Sequence, residues 1–202
     1  MKLYYAPGTC SLSVHITLKE AGLACALEKV DLATSRTETG VDYTTINPNG
    51  YVPALVLDDG EMLTEVPAIL LYLADRAGKD LAPPSGNQAR YRLYAWLNFI
   101  ASELHNKAFG PLFNPATPDE WKIQLKQTLA KRCDHVAAQL AGKQFLLGDS
   151  YTVADAYLFT VLGWSRWVQF DLAPWPTINE YLGRIAARPA VQAALKDEGL
   201  LG

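Results

Sequence analysis

The apolar pattern of this chain changes once, near residue 80, and that change limits the fold more than any other feature. Before it, short strand-like and helical runs alternate. Residues 2–5 are β-prone and are closed by Pro7-Gly8. Residues 11–21 carry apolar side chains at helical spacing (Leu12 and Ile16, then Val14, Leu18 and Ala21), with Gly22 as a stop. Residues 27–32 read as a second strand, and the polar stretch 34–40 as loop or weak helix. Asn47-Pro48-Asn49-Gly50 is a turn, followed by a strand over 52–57 that begins with proline. Asp58-Asp59-Gly60 makes a hairpin turn into a returning strand at 61–63. Thr64 is placed to cap a helix from Glu65 to about Asp75, with Pro67 in the first turn, where a missing N–H does no harm. The order is βαβ, a helix-like link, then ββα. The first unit demands a parallel pair and the hairpin an antiparallel one.

Beyond the turn-rich stretch 78–86 the pattern is helical, over 88–109, 118–141, 153–169, 177–187 and 190–197. Breaks fall at Pro111, Pro115, Pro118, Gly142, Gly148, Pro174, Pro176 and Pro189. The expected organisation is an α/β domain over 1–80, a linker over 81–86 and an all-α domain over 87–202. A chain of 202 residues, half of them hydrophobic and 19% charged, buries enough surface to dispense with disulfides and is not disordered. A net charge of -3 argues against nucleic acid as partner, since no basic excess is present to displace counterions. No apolar run reaches the length of a membrane span, and the first residues lack a secretory pattern. A cytoplasmic protein with no membrane or nucleic-acid partner is expected.

Chemistry must come from single side chains. The three cysteines (Cys10, Cys25, Cys133) include no C-x-x-C pair, and the three histidines (His15, His105, His135) are far apart, so no metal site is expected. Cys10 stands out because it follows a strand and a Pro-Gly turn and opens a helix. Free amides and the helix dipole there favour a thiolate. Cys10-Ser11-Leu12-Ser13 has the placement of a redox motif but no resolving cysteine, so a mixed disulfide with a small thiol is the available product. Cys25 and Cys133 read as structural. Val52-Pro53 is the second feature. Most X–Pro bonds are trans, but open Val52 backbone groups beside Cys10 call for cis, and those groups would pair with an extended peptide. The third is Thr64-Glu65-Val66-Pro67, a helix start that offers amides to a carboxylate, with Glu65 available to an ammonium group or simply offsetting the dipole.

Together these features resemble the glutathione S-transferases, over essentially the whole chain. Tyr5 with Cys10-Ser11, then Asn47-Pro48-x-Gly50-x-Val52-Pro53, then Leu63-Thr64-Glu65 and Ala68-Ile69-x-x-Tyr72-Leu73-Ala74 stand in family order. Trp96-Leu97-Asn98-Phe99-x-Ala101-Ser102-Glu103-x-His105 and the run 152–159 are similar to the bacterial beta class, which the combination of Cys10 with His105 marks best. The resemblance implies a thioredoxin-like N-terminal domain, an all-α C-terminal domain and a homodimer that conjugates glutathione to small hydrophobic electrophiles.

Carried over by position, the catalytic set is Tyr5, Cys10, Ser11 and His105. Cys10 contacts or covalently binds the glutathione sulfur, and His105 and Lys107 face it. Val52, at its bond to Pro53, pairs with the cysteinyl unit. Glu65 and the N–H of Val66 hold the γ-glutamyl end. Asn98 and Ser102 reach the partner subunit's glutathione, Glu103 and Leu104 belong to the same glutathione-binding run, and Trp164 lines the electrophile pocket. Two positions depart from the family: Val66 where Ser or Gly is common, and Ser35 where a Lys would meet the glycyl carboxylate, with Arg36 next to it. Ser11, the helix start and His105 are the groups expected to stabilise a glutathione thiolate. Two other readings share the fold: a glutathione-dependent thioltransferase or peroxidase, and a non-catalytic carrier of hydrophobic ligands. Thr152 to Asp155 reads as structural, a capping-box variant at the start of an apolar helix.

Overall fold

A computed structural model describes residues 1–78 and 80–201; Lys79, in the expected first domain, and Gly202, the end of the expected second, lie outside the described residues. The chain divides into two compact units, Met1–Leu81 together with Arg188–Gly202, and Ala82–Ala187.

The first unit is a five-stranded mixed sheet with helices. Its strands are β1 (Lys2–Tyr5), β2 (Ala26–Asp31), β3 (Arg36–Thr37), β4 (Ala54–Val56) and β5 (Met62–Leu63), in the order β3-β2-β1-β4-β5. Only β1 and β2 are parallel, as the crossover through helix α1 (Ser11–Ala21) requires; β1–β4, β4–β5 and β2–β3 are antiparallel. On one face Tyr4, Ala6, Val30, Tyr43, Val52 and Ala54 form a buried cluster. The stretch 34–40, read from sequence as loop or weak helix, instead contains β3. Backbone bonds from Glu38 N–H to the Lys29 carbonyl fold it back onto β2, with left-handed turns at Ser35 (φ 54°) and Gly40 (φ 86°). Helix α2 runs Val66–Arg76, and its cap is Glu65 rather than Thr64.

The C-terminal boundary differs from the expected 87–202 domain. Helix α8 (Pro189–Asp197) packs on α1 and belongs to the sheet-bearing unit, burying Val191 and Ala194. Arg188 grips the Glu20 carboxylate with two nitrogens. Glu198 is itself buried. One of its oxygens accepts the Gly8 N–H at 2.8 Å and the other lies 3.0 Å from His15 Nδ1, so the chain end holds the loop that leads into Cys10. Helical periodicity cannot report such a return, because an amphipathic stripe does not say which surface covers it.

The second unit is all helical: α3 (Gln88–Phe99), a π-helical segment (Ile100–Phe109), α4 (Gly110–Phe113), α5 (Asp119–Leu140), α6 (Val153–Gly163) and α7 (Pro176–Ala186). The expected single helix over 88–109 thus changes its hydrogen-bond register at residue 100. Gly110 closes the π segment by donating its N–H to the His105 carbonyl, and Pro111, with no N–H, cannot continue the ladder. Helix α6 ends at Gly163 and tightens into a 3₁₀ turn at Trp164–Arg166, short of the expected 169. The structural reading of Asp155 is what the fold shows. Its fully buried carboxylate accepts the N–H of Thr152 and of Leu146 and the hydroxyl of Tyr181. No helix among the described residues is long and apolar enough to cross a membrane.

Candidate functional site

In the sheet-bearing unit the chemistry converges at the start of α1. Cys10 is the N-cap residue, in right-handed helical conformation, and its side chain is buried. Its Sγ donates to the Val52 carbonyl at 3.2 Å. The Val52–Pro53 peptide is cis, and both residues are buried. The Val52 N–H has no protein partner among the described residues, so it remains open to an extended ligand. The turn ahead of it is tied by the Tyr43 hydroxyl and the Asn47 amide, which both donate to the Tyr51 carbonyl.

Cys10 departs from the thiolate expected at a helix start. Burial pushes its thiol up to about 12; the N–H groups of Cys10 and Ser11 pull the other way and lose, and the Glu65 carboxylate adds to the rise. Desolvation disfavours the charged sulfur more than two amides favour it. The free protein therefore holds Cys10 as a hydrogen-bonded thiol.

Glu65 is exposed and sits at the start of α2 with φ 66° and ψ 117°, a backbone region that L-residues avoid. Val66 follows as the first helical residue, and its N–H is one of the amides that an α-helix leaves unpaired. Its side chain is buried, so only the backbone faces a ligand.

Two members of the expected catalytic set are occupied elsewhere. Ser11 is fully buried. Its hydroxyl donates to the Ala6 carbonyl at 3.1 Å, lies 2.8 Å from the Thr9 hydroxyl and accepts the Ala6 N–H. It closes the loop between β1 and α1, and with those bonds made it has no hydroxyl proton left for a sulfur. Tyr5 is buried against the His15 ring, and burial, with Glu198 nearby, raises its phenol. The Ser35 carbonyl accepts the Tyr43 N–H, and the Arg36 guanidinium donates to the Gly40 carbonyl, so both serve the β3 turn.

The helical unit carries the second group. His105 lies in the π segment. Its Nδ1 is 2.8 Å from the Tyr157 hydroxyl, and its ring meets Trp164 edge-on with centroids 4.8 Å apart. Burial lowers the imidazole to about 4, so at neutral pH it is uncharged. Any help His105 gives a thiolate therefore comes from a neutral ring and not from an imidazolium. Trp164 is buried at the centre of an aromatic group with Phe109 and Phe113, and Phe113 and Trp167 are half exposed around it. Phe170 is not in this group; it stacks on Trp175.

The rest of the expected run is mixed. Leu104 is fully buried among core residues, so its side chain reaches no ligand. Glu103 is held by the Arg132 guanidinium, with Lys107 at 3.4 Å, and Arg132 leads in keeping its carboxyl low. Asn98 and Ser102 are exposed and bond to carbonyls of their own helix, those of Tyr94 and Asn98. Tyr157 and Phe113 were not singled out from sequence. Tyr157 sits two residues past the capping Asp155 on an apolar helix, where a phenol reads as packing; Phe113 follows the Gly110-Pro111 break. No group of three or more His, Cys, Asp or Glu gathers as a metal site among the described residues.

Comparison with known proteins assigns both halves of the chain to one family. Residues 8–76 match the family model of the glutathione S-transferase N-terminal domain, and residues 99–189 that of the C-terminal domain. The chain is 48% identical to glutathione S-transferase GstA of Escherichia coli O157:H7, over 99% of this chain and all of that one. Among solved structures it is similar to a sphingomonad glutathione S-transferase complexed with glutathione (50% identity, TM-score 0.94, covering 99% of this chain and 100% of that one). It is also similar to the bacterial beta class enzyme of Sphingomonas chungbukensis (49% identity, TM-score 0.94, covering both chains in full).

Proposed function

We propose the division of labour below for this chain, which belongs to the glutathione S-transferase family and is a transferase with glutathione as co-substrate. The sheet-bearing unit binds the tripeptide. The Val52 N–H pairs with the cysteinyl backbone, Glu65 takes the γ-glutamyl ammonium, and the first amides of α2 take its carboxylate. The observation that carries this reading is the convergence, within one unit, of an unpaired Val52 N–H, the Cys10 sulfur bonded to the Val52 carbonyl, and a Glu65 close enough to raise that sulfur. The aromatic group of Trp164, Phe113 and Trp167 supplies the surface for a hydrophobic electrophile.

The reaction requires the glutathione thiolate, since the thiol is a poor nucleophile. His105 stabilises it as a neutral hydrogen-bond donor, Lys107 supplies positive charge, and the amide end of α1 adds its dipole. The thiolate attacks the electrophilic carbon, a carbon–sulfur bond forms, and the leaving group departs with its electron pair. Cys10 enters a mixed disulfide by exchange with oxidised glutathione: an S–S bond to Cys10 forms as the old S–S bond breaks, and one glutathione leaves as its thiol; as a thiol held near 12, Cys10 does this slowly in the free protein. The protein works as a homodimer in the cytoplasm, with Asn98 and Ser102 turned to the partner's ligand.

Steady-state conjugation of 1-chloro-2,4-dinitrobenzene tests this. Glu65→Gln raises the KM for glutathione about tenfold or more, as expected when a charged hydrogen bond is lost. Cys10→Ala retains measurable conjugation. Unchanged KM in Glu65→Gln, or complete loss in a folded Cys10→Ala, overturns the scheme.

A further inference from the structure

We propose that Tyr157 is a positioning residue for the transferase reaction: its buried hydroxyl donates to Nδ1 of His105 and thereby holds that imidazole as the Nε2–H tautomer. The inference rests on the reading above that His105 acts on the glutathione sulfur.

A neutral imidazole has one donor and one acceptor nitrogen, and the bond made by one nitrogen decides the role of the other. His105 is neutral at pH 7 because burial lowers it to about 4. Its Nδ1 lies 2.8 Å from the Tyr157 oxygen, while Nε2 has no protein hydrogen bond among the described residues. A phenol O–H is a stronger donor than an imidazole N–H, and an imidazole nitrogen is a stronger acceptor than a phenol oxygen. The proton in this bond therefore belongs to Tyr157, and the ring's own proton sits on Nε2. That leaves Nε2–H as the group able to donate to a sulfur anion; the opposite tautomer would present a lone pair and repel it.

Several contacts hold the two rings against each other. Tyr157 is 1% exposed and lies on α6, whose first turn is pinned by the buried Asp155 carboxylate. The two rings meet edge to face with centroids 6.1 Å apart, and Trp164 flanks His105 on another side. The His105 carbonyl accepts the Gly110 N–H, and a Cβ at residue 110 would come within 3.3 Å of that oxygen. Backbone and ring of His105 are thus both held, and the phenol supplies the one interaction that chooses between tautomers.

The test is nitrogen NMR of protein labelled with ¹⁵N-histidine, with His105 assigned by comparison with His105→Gln. Wild type shows a pyridine-like Nδ1 and a protonated Nε2 at His105. Tyr157→Phe keeps the ring but shifts both resonances toward a tautomer mixture, and it lowers kcat for conjugation about fivefold to tenfold with the KM for glutathione little changed. A protonated Nδ1 in wild type overturns the proposal even if Tyr157→Phe fails to fold, and so does a retained Nε2–H form in a folded Tyr157→Phe. If the tautomer shifts as expected but neither Tyr157→Phe nor His105→Gln loses activity, the assignment of His105 to the reaction falls, and the positioning role with it.

Discussion

The start of α1 buries Cys10 and the π segment half-buries His105, and desolvation makes both neutral. Cys10 rises to about 12 and His105 falls to about 4. The cause is the same, but the opposition differs. Cys10 has two helix-start amides working for its anion and still stays protonated. His105 has only desolvation acting on it, and among the described residues no carboxylate acts to retain its proton. A helix N-terminus sets the direction of a shift on an accessible cysteine; on a buried one that also donates to a carbonyl, desolvation decides.

The largest effect this comparison predicts is on thiol reactivity. At neutral pH the thiolate fraction of Cys10 is about a thousandfold below that of an ordinary thiol, and alkylation by iodoacetamide slows accordingly. Peptide mapping after timed labelling of ligand-free protein should find the half-exposed Cys25 modified before Cys10. A Cys10 rate that already levels off at pH 6 would mean that the amides outweigh burial.

Next in size is the acid limb of stability. His105 binds its proton more weakly folded than unfolded, so its contribution is complete above about 6.5. It is lost as pH falls toward about 4, to a total of up to about 3 kcal/mol. Urea unfolding of wild type and His105→Gln at pH 7 and at pH 4.5 should show a smaller acid loss in the variant. Equal losses would place the His105 ring in water. Cys10 has the opposite sign: its native pKa is raised, so it costs stability only as pH climbs from about 9 through about 12.

The smallest effect sharpens the contrast between strain and function. Glu65→Gly relieves a backbone that has φ 66° and should raise stability by about 1 kcal/mol while weakening glutathione binding. Thermal melts and glutathione titration of the same preparation check both halves. A destabilised variant would show that Glu65 serves the fold rather than the ligand.

Much of the site was legible in the residues because the signals were local. Pro7-Gly8 before Cys10 and Val52-Pro53 after a turn are readable within a few positions and stand where the pattern put them; Glu65 does lie at the start of its helix, but as the cap and not as the first helical residue. Tyr157 was not legible, since nothing distinguishes a phenol that fills a core from one that orients an imidazole 52 residues away. Ser11 misled for a related reason: a hydroxyl beside a cysteine looks available until the loop that consumes it is seen. The short strand β3 was hidden by polar residues that carry no apolar alternation.

Period, punctuation and charge in this sequence determine a mixed α/β half followed by a helical half, because helices and strands bury their apolar residues at different spacings. They also place a cysteine at a helix start. Tertiary structure alone decided that α8 returns to α1, that Glu198 props the loop before Cys10, and that both Cys10 and His105 are neutral. Those outcomes depend on how much water reaches a group and on which distant atom faces it, and both are properties of packing.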